Sequence, residues 1–157
     1  MMHQIADAQI DAIKIEPARR QFSTSYPPVT FDAEGELIPI KHLLETIAWG
    51  HLDAFAEQLV ERVGFHNEAG EVLFAGSPDI EPDVESFEGV LFRDFLGNQV
   101  VVSESAFRRL MDRFFTVLIR TADDRALGVR EDPRWAAFLE HAARMNHSIG
   151  QAPKKGS

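Results

Sequence analysis

The hydrophobic pattern is sharpest between Phe107 and Leu118, where Phe107, Leu110, Met111, Phe114, Phe115 and Leu118 recur three or four positions apart. That spacing puts all six on one face of a helix. Ser103 supplies an N-cap oxygen and Glu104 a negative charge in the first turn. Upstream the period changes. Val100-Val101-Val102 and Gly89 to Phe95 read as two strands, with Val90, Phe92 and Asp94 on one face. Leu96-Gly97-Asn98 between them reads as a hairpin turn, because Gly and Asn accept positive φ. Val72-Leu73-Phe74 is a further short strand, closed by Gly76-Ser77-Pro78.

Before these strands, Ile40, Leu43, Leu44, Ile47 and Ala48 recur at helical spacing behind Pro39. Leu52, Phe55, Ala56, Leu59 and Val63 continue the stripe. Gly50 is expected to bend or split this helix and Gly64 to end it. A last helix is expected from Asp132-Pro133 to about Gly150, burying Trp135, Phe138, Leu139 and Ala142. In residues 1–30 the isoleucines at 5, 10, 13 and 15 suit either a helix or a strand ending at Pro17, and Pro27-Pro28 enforces extended backbone. The expected fold is a single α+β domain over residues 1–150, a small, mainly antiparallel sheet packed against amphipathic helices, with a polar tail at 151–157.

Charge adds a direction. The 157-residue chain carries a formal charge of −9. The excess sits in residues 1–104, with nineteen acidic against six basic side chains, whereas residues 105–157 hold ten basic against six acidic. Between Glu68 and Glu104 nine acidic residues face Arg93 alone. Such a surface repels nucleic-acid phosphates and anionic membranes but suits a basic protein cleft. The apolar stretches fall short of the about 20 residues that span a bilayer, and the N-terminus lacks the basic and apolar regions of a secretory signal. The chain has no cysteine, which excludes disulfides and thiolate chemistry. These features make a cytoplasmic address the expectation.

The chemistry points away from catalysis. His141 and His147, six apart, fall on different helix faces, so no helical metal pair forms. Counting from Asp79, the sixth and twelfth positions of a calcium loop would be Val84 and Val90, where glycine and glutamate are needed. There is no nucleophile elbow and no Gly-rich phosphate loop. Arg109, Arg113 and Arg120 share the outer face of the Ser103 helix. Arg108, four residues from both Glu104 and Asp112, is placed for ion pairs within the helix. No cofactor and no metal are expected.

Phe87-Glu88-Gly89-Val90-Leu91-Phe92, the hairpin through Val100-Val101-Val102-Ser103, and the helix bearing Phe107 and Leu110 together resemble the ribonuclease-toxin immunity proteins of bacterial contact-dependent growth inhibition. The likeness spans roughly residues 38–120 and consists mainly of core positions. It implies a non-enzymatic role, neutralising a cognate toxin nuclease in the cytoplasm of the producing cell. The contacts follow from charge: Asp79, Glu81, Asp83, Glu85 and Glu88 first, with Glu71 and Asp94 beside them. Phe87 could add an aromatic anchor, though core burial suits it better. The alternative is a non-inhibitory adaptor or subunit that docks a basic protein; the oligomeric state stays open.

Overall fold

The computed structural model describes residues 3–19, 28–78, 80–125 and 128–151. The elements follow in the order β1 (His3–Gln4), α1 (Asp7–Asp11), β2 (Lys14–Pro17), β3 (Val29–Asp32), α2 (Ile38–Glu45), α3 (Leu52–Glu61), β4 (Phe65–Asn67), β5 (Gly70–Phe74), β6 (Val90–Asp94), β7 (Gln99–Val102), α4 (Glu104–Arg125) and α5 (Pro133–Gln151). Five strands form one sheet in the order β1-β7-β6-β5-β4, and β2 with β3 forms a second. Among the described residues only the β1–β7 pair is parallel. The fold is α+β, as the alternation of helical and strand periods implied.

The core lies between one face of the large sheet and the helices. Val72, Phe74, Val90, Phe92, Val100 and Val102 point into it from the strands. Phe107 of α4 meets Phe74 and Phe92 at ring separations of 5.6 and 6.0 Å. Two turns further on, Phe114 contacts Phe31 of β3 and Phe55 of α3. α5 then packs against α3 and α4, with Trp135 edge-on to Trp49 and Phe138 edge-on to Phe115. The stripe read along α4 is therefore buried throughout, and Ser103 caps it by accepting the Ala106 amide at 3.1 Å.

The N-terminal region, ambiguous from its isoleucines, resolves into both alternatives: a short helix around Ile10 followed by the strand β2. It is held to α4 by arginines. Arg109 donates two bonds to the Asp11 carboxylate, and Arg113 donates to the carbonyls of Ile13 and Ile10 at 2.6 and 2.9 Å. The Arg109 hydrogen bond holds the Asp11 carboxyl below its ordinary range. The outer face of α4 that carries these arginines is thus partly consumed by the chain itself.

Several boundaries differ from the sequence reading. The helix behind Pro39 ends at Glu45, before Gly50, because Thr46 turns its hydroxyl back onto the carbonyls of His42 and Leu43. Gly50 instead lies in a 3-10 turn under the Arg134 guanidinium, where a Cβ would sit 2.9 Å from Arg134 Nη1. α3 ends in a left-handed residue at Arg62, φ 58°, just before Gly64. Leu139 is exposed, and Met145 takes the place in the buried stripe of α5 assigned to it. Glu104 pairs with Arg62, whose guanidinium also lies over the Phe74 ring, and not with Arg108. Residues 152–157, most of the expected polar tail, lie outside the described residues.

Candidate protein-binding face

The second face of the large sheet is built in rows set by strand register. Leu73, Leu91 and Val101 form one row, directly opposite one another across β5, β6 and β7. A bare row of this kind would expose apolar surface to water. The β5–β6 connection prevents it: Ile80, Val84 and Phe87 fold back onto the row and make a small second core. This connection is the acidic segment.

The segment is not extended, although Pro78 and Pro82 favour extended backbone there. The amides of Ser77, Ile80 and Val84 each donate to the carbonyl three residues earlier, giving successive turns. Turning brings three apolar side chains inward while Glu81, Asp83, Glu85 and Glu88 stay exposed. Among the described residues Glu81, Asp83 and Glu88 take part in no ion pair. Asp79 lies outside the described residues. The two ends of the segment are pinched by a bond from the Ala75 amide to the Gly89 carbonyl. Gly89 is required there: its φ is +93°, and a Cβ would stand 2.3 Å from the Val102 carbonyl oxygen.

The next row along the sheet is polar. Register aligns His66, Glu71, Arg93 and Gln99 across β4 to β7. Arg93 holds the Glu71 carboxylate with bonds of 2.8 and 2.5 Å. Glu71 is therefore a neutralised neighbour of the acidic segment and not an addition to it.

Asp94 belongs to the opposite face and is only 4% exposed. Its carboxylate accepts from the amides of Leu96 and Asn98 and from the Asn98 side chain, at 3.0, 2.9 and 3.1 Å. It organises the β6–β7 turn and is buried away from any partner, in contrast to the contact role expected from its charge. The turn it holds presents Phe95 and Leu96, each 68% exposed. Phe95 lies just beyond β6, two positions after Arg93 of the outer row. Phe87, by contrast, is half-buried under the acidic segment.

Sequence reasoning passed over Phe95 and Leu96 because it treated them as strand end and turn. The available signal was chemical: two large apolar side chains beside Gly97-Asn98, where turns ordinarily carry polar residues.

Among the described residues no group of three histidines, acids or cysteines is placed to hold a metal ion, and no helix is long and apolar enough to cross a membrane. His141 buries an unpartnered Nδ1, with Nε2 3.6 Å from Glu57. The outer face carries carboxylates on a pinned segment, and the β6–β7 turn exposes Phe95 and Leu96. Comparison with protein-family models, curated proteins and solved structures finds no significant match to this chain.

Proposed function

We propose that this chain is an immunity protein that binds a cognate toxin nuclease, a ribonuclease by the resemblance, and neutralises it by occupying its basic active-site cleft. The observation that carries the reading is the posture of the acidic segment. Ile80, Val84 and Phe87 anchor it to the sheet while Glu81, Asp83, Glu85 and Glu88 project to solvent. A nuclease cleft collects cationic side chains around the scissile phosphate, and an acidic face steers toward it and fills it. Anchoring matters energetically, because a loop already ordered in the free protein loses less entropy on binding. Phe95 and Leu96 supply the apolar anchors that charge alone lacks.

The test is binding and protection with the product of the neighbouring open reading frame. Changing Glu81, Asp83, Glu85 and Glu88 to Gln or Asn should slow association and flatten its salt dependence, while the thermal unfolding midpoint stays unchanged. Phe95→Ala should instead speed dissociation, by roughly tenfold or more if it is a buried anchor. Unaltered affinity and unaltered protection in both variants would sink the assignment of this face. Tight binding without relief of toxicity would favour the adaptor alternative.

A further inference from the structure

The two edges of the small β2–β3 sheet are treated differently. On the β3 side the Phe31 amide donates to Glu45 Oε2 at 2.9 Å, and the Phe31 carbonyl accepts from Lys41 Nζ at 2.8 Å. Lys41 and Glu45 also pair with each other, so that edge is sealed by side chains from α2. This fixes the geometry across the ladder. Ile15 is the partner of Phe31, and both backbone groups of Phe31 turn away from β2. The pair is thus the non-hydrogen-bonded kind, and the N–H and C=O of Ile15 point outward from the opposite edge.

That edge is open only briefly. The Ile13 carbonyl before it is taken by Arg113, and Pro17 after it has no N–H. Ile15 is left with a donor and an acceptor facing a groove of about 530 Å³, floored by β2 and walled by Asp112, Thr116 and Val117 of α4. Neither Ile15 group has a hydrogen-bond partner among the described residues.

We propose that β2 pairs antiparallel with β2 of a second copy of this chain, about a two-fold axis at Ile15. Under that rotation the two Ile15 residues exchange N–H···O=C bonds. Lys14 comes to lie opposite Glu16 of the second copy, and Glu16 opposite its Lys14. Both side chains are exposed and share one face of the strand. Lys-Ile-Glu is its own charge complement in this register, which a strand of unrelated sequence need not be. The assembly also closes. Each outer strand of the resulting four-stranded sheet is a β3 whose free edge Lys41 and Glu45 already cap, so pairing stops at two copies. With only two main-chain bonds at its centre, the dimer belongs to the transient class and depends on protein concentration. The inference is independent of the toxin-binding reading, since the acidic segment covers the other side of the large sheet.

Sedimentation velocity on the full chain over a wide concentration series tests it. Wild type should show a reversible monomer–dimer equilibrium, with Ile15 amide exchange slowing as concentration rises. Glu16→Lys, whose neighbour across β3 is Thr30, sets lysine against lysine and should weaken dimerisation by roughly tenfold or more. Lys14→Glu should weaken it too, while an equimolar mixture of the two single variants should form a heterodimer and the double variant K14E/E16K should regain the homodimer. Circular dichroism should be the same for all four proteins. A wild type that stays monomeric throughout, a dimer indifferent to Glu16→Lys, or a double variant that stays monomeric would each overturn the proposal.

Discussion

Replacing Phe114 by alanine removes the ring on which three parts of the fold converge. Phe114 is fully buried, and its ring lies 5.4 Å from Phe31, 6.2 Å from Phe55 and 5.8 Å from Phe115. The lost transfer energy and the residual cavity together cost about 3–5 kcal/mol for a buried phenylalanine. Loss of three ring pairs, each contributing about 0.5–1.5 kcal/mol beyond area, pushes this site to the upper end of that range. The neighbours cannot collapse into the gap, because each is held by a different element: β3, α3 and α4 itself. Phe114→Leu keeps most of the volume and should cost less than half as much. Urea unfolding followed by circular dichroism is the assay, with the midpoint falling and the slope unchanged. Phe95→Ala, 68% exposed, serves as the contrast and should lie within about 0.5 kcal/mol of wild type. A Phe114→Ala cost below about 1 kcal/mol would refute the placement of α4 at the centre of the core.

Gly89→Ala should destabilise by about 2 kcal/mol or more, since the new Cβ meets backbone at 2.3 Å and the residue must hold φ +93°; a neutral result in a thermal melt would mean the pinch is not a native constraint. Stability should also fall in acid. The carboxyls of Asp11, Glu36 and Asp132 lie below their ordinary values, held there chiefly by hydrogen bonds from Arg109, Gln9 and Arg134 respectively. A folded-state pKa below the unfolded one gives stability that is full above the unfolded values of 3.8 and 4.5 and is lost as pH falls through the folded ones. The melting temperature should therefore decline below about pH 4, less steeply in Asp11→Asn, and an unchanged melting temperature down to about pH 2.5 would contradict the sign.

Much of the fold was legible because single elements declared their period. The stripe from Phe107 to Leu118 needs no tertiary information to be read as a buried helix face, and Gly97-Asn98 states its hairpin directly. What escaped depends on contacts distant in sequence. β1 exists because β7 pairs with it, pairing with β3 is what settles residues 14–17 as a strand, and Arg109 and Arg113 bind a segment about a hundred residues away. β4 could have been found, since Asn67 and Gly70 close its hairpin by local bonds to the Asn67 side chain. The candidate face divides the same way. Charge located the exposed carboxylates, but it could not separate them from Asp94, spent on its own turn, or Glu71, paired with Arg93. Nor could the prolines reveal that turns would hide Ile80, Val84 and Phe87.

The bond from Ala75 to Gly89 has a consequence for how this protein can change over time. It closes the ladder of β5 and β6 below the acidic segment, so strand register does not depend on what the segment says. Provided that three apolar positions still face the sheet, the outward residues can drift, reverse charge or be exchanged with those of a sister lineage without disturbing the core. The chemistry of the exposed positions and foldability are thereby inherited as nearly separate traits, and a new outer surface can arise within a few substitutions of a protein that still folds.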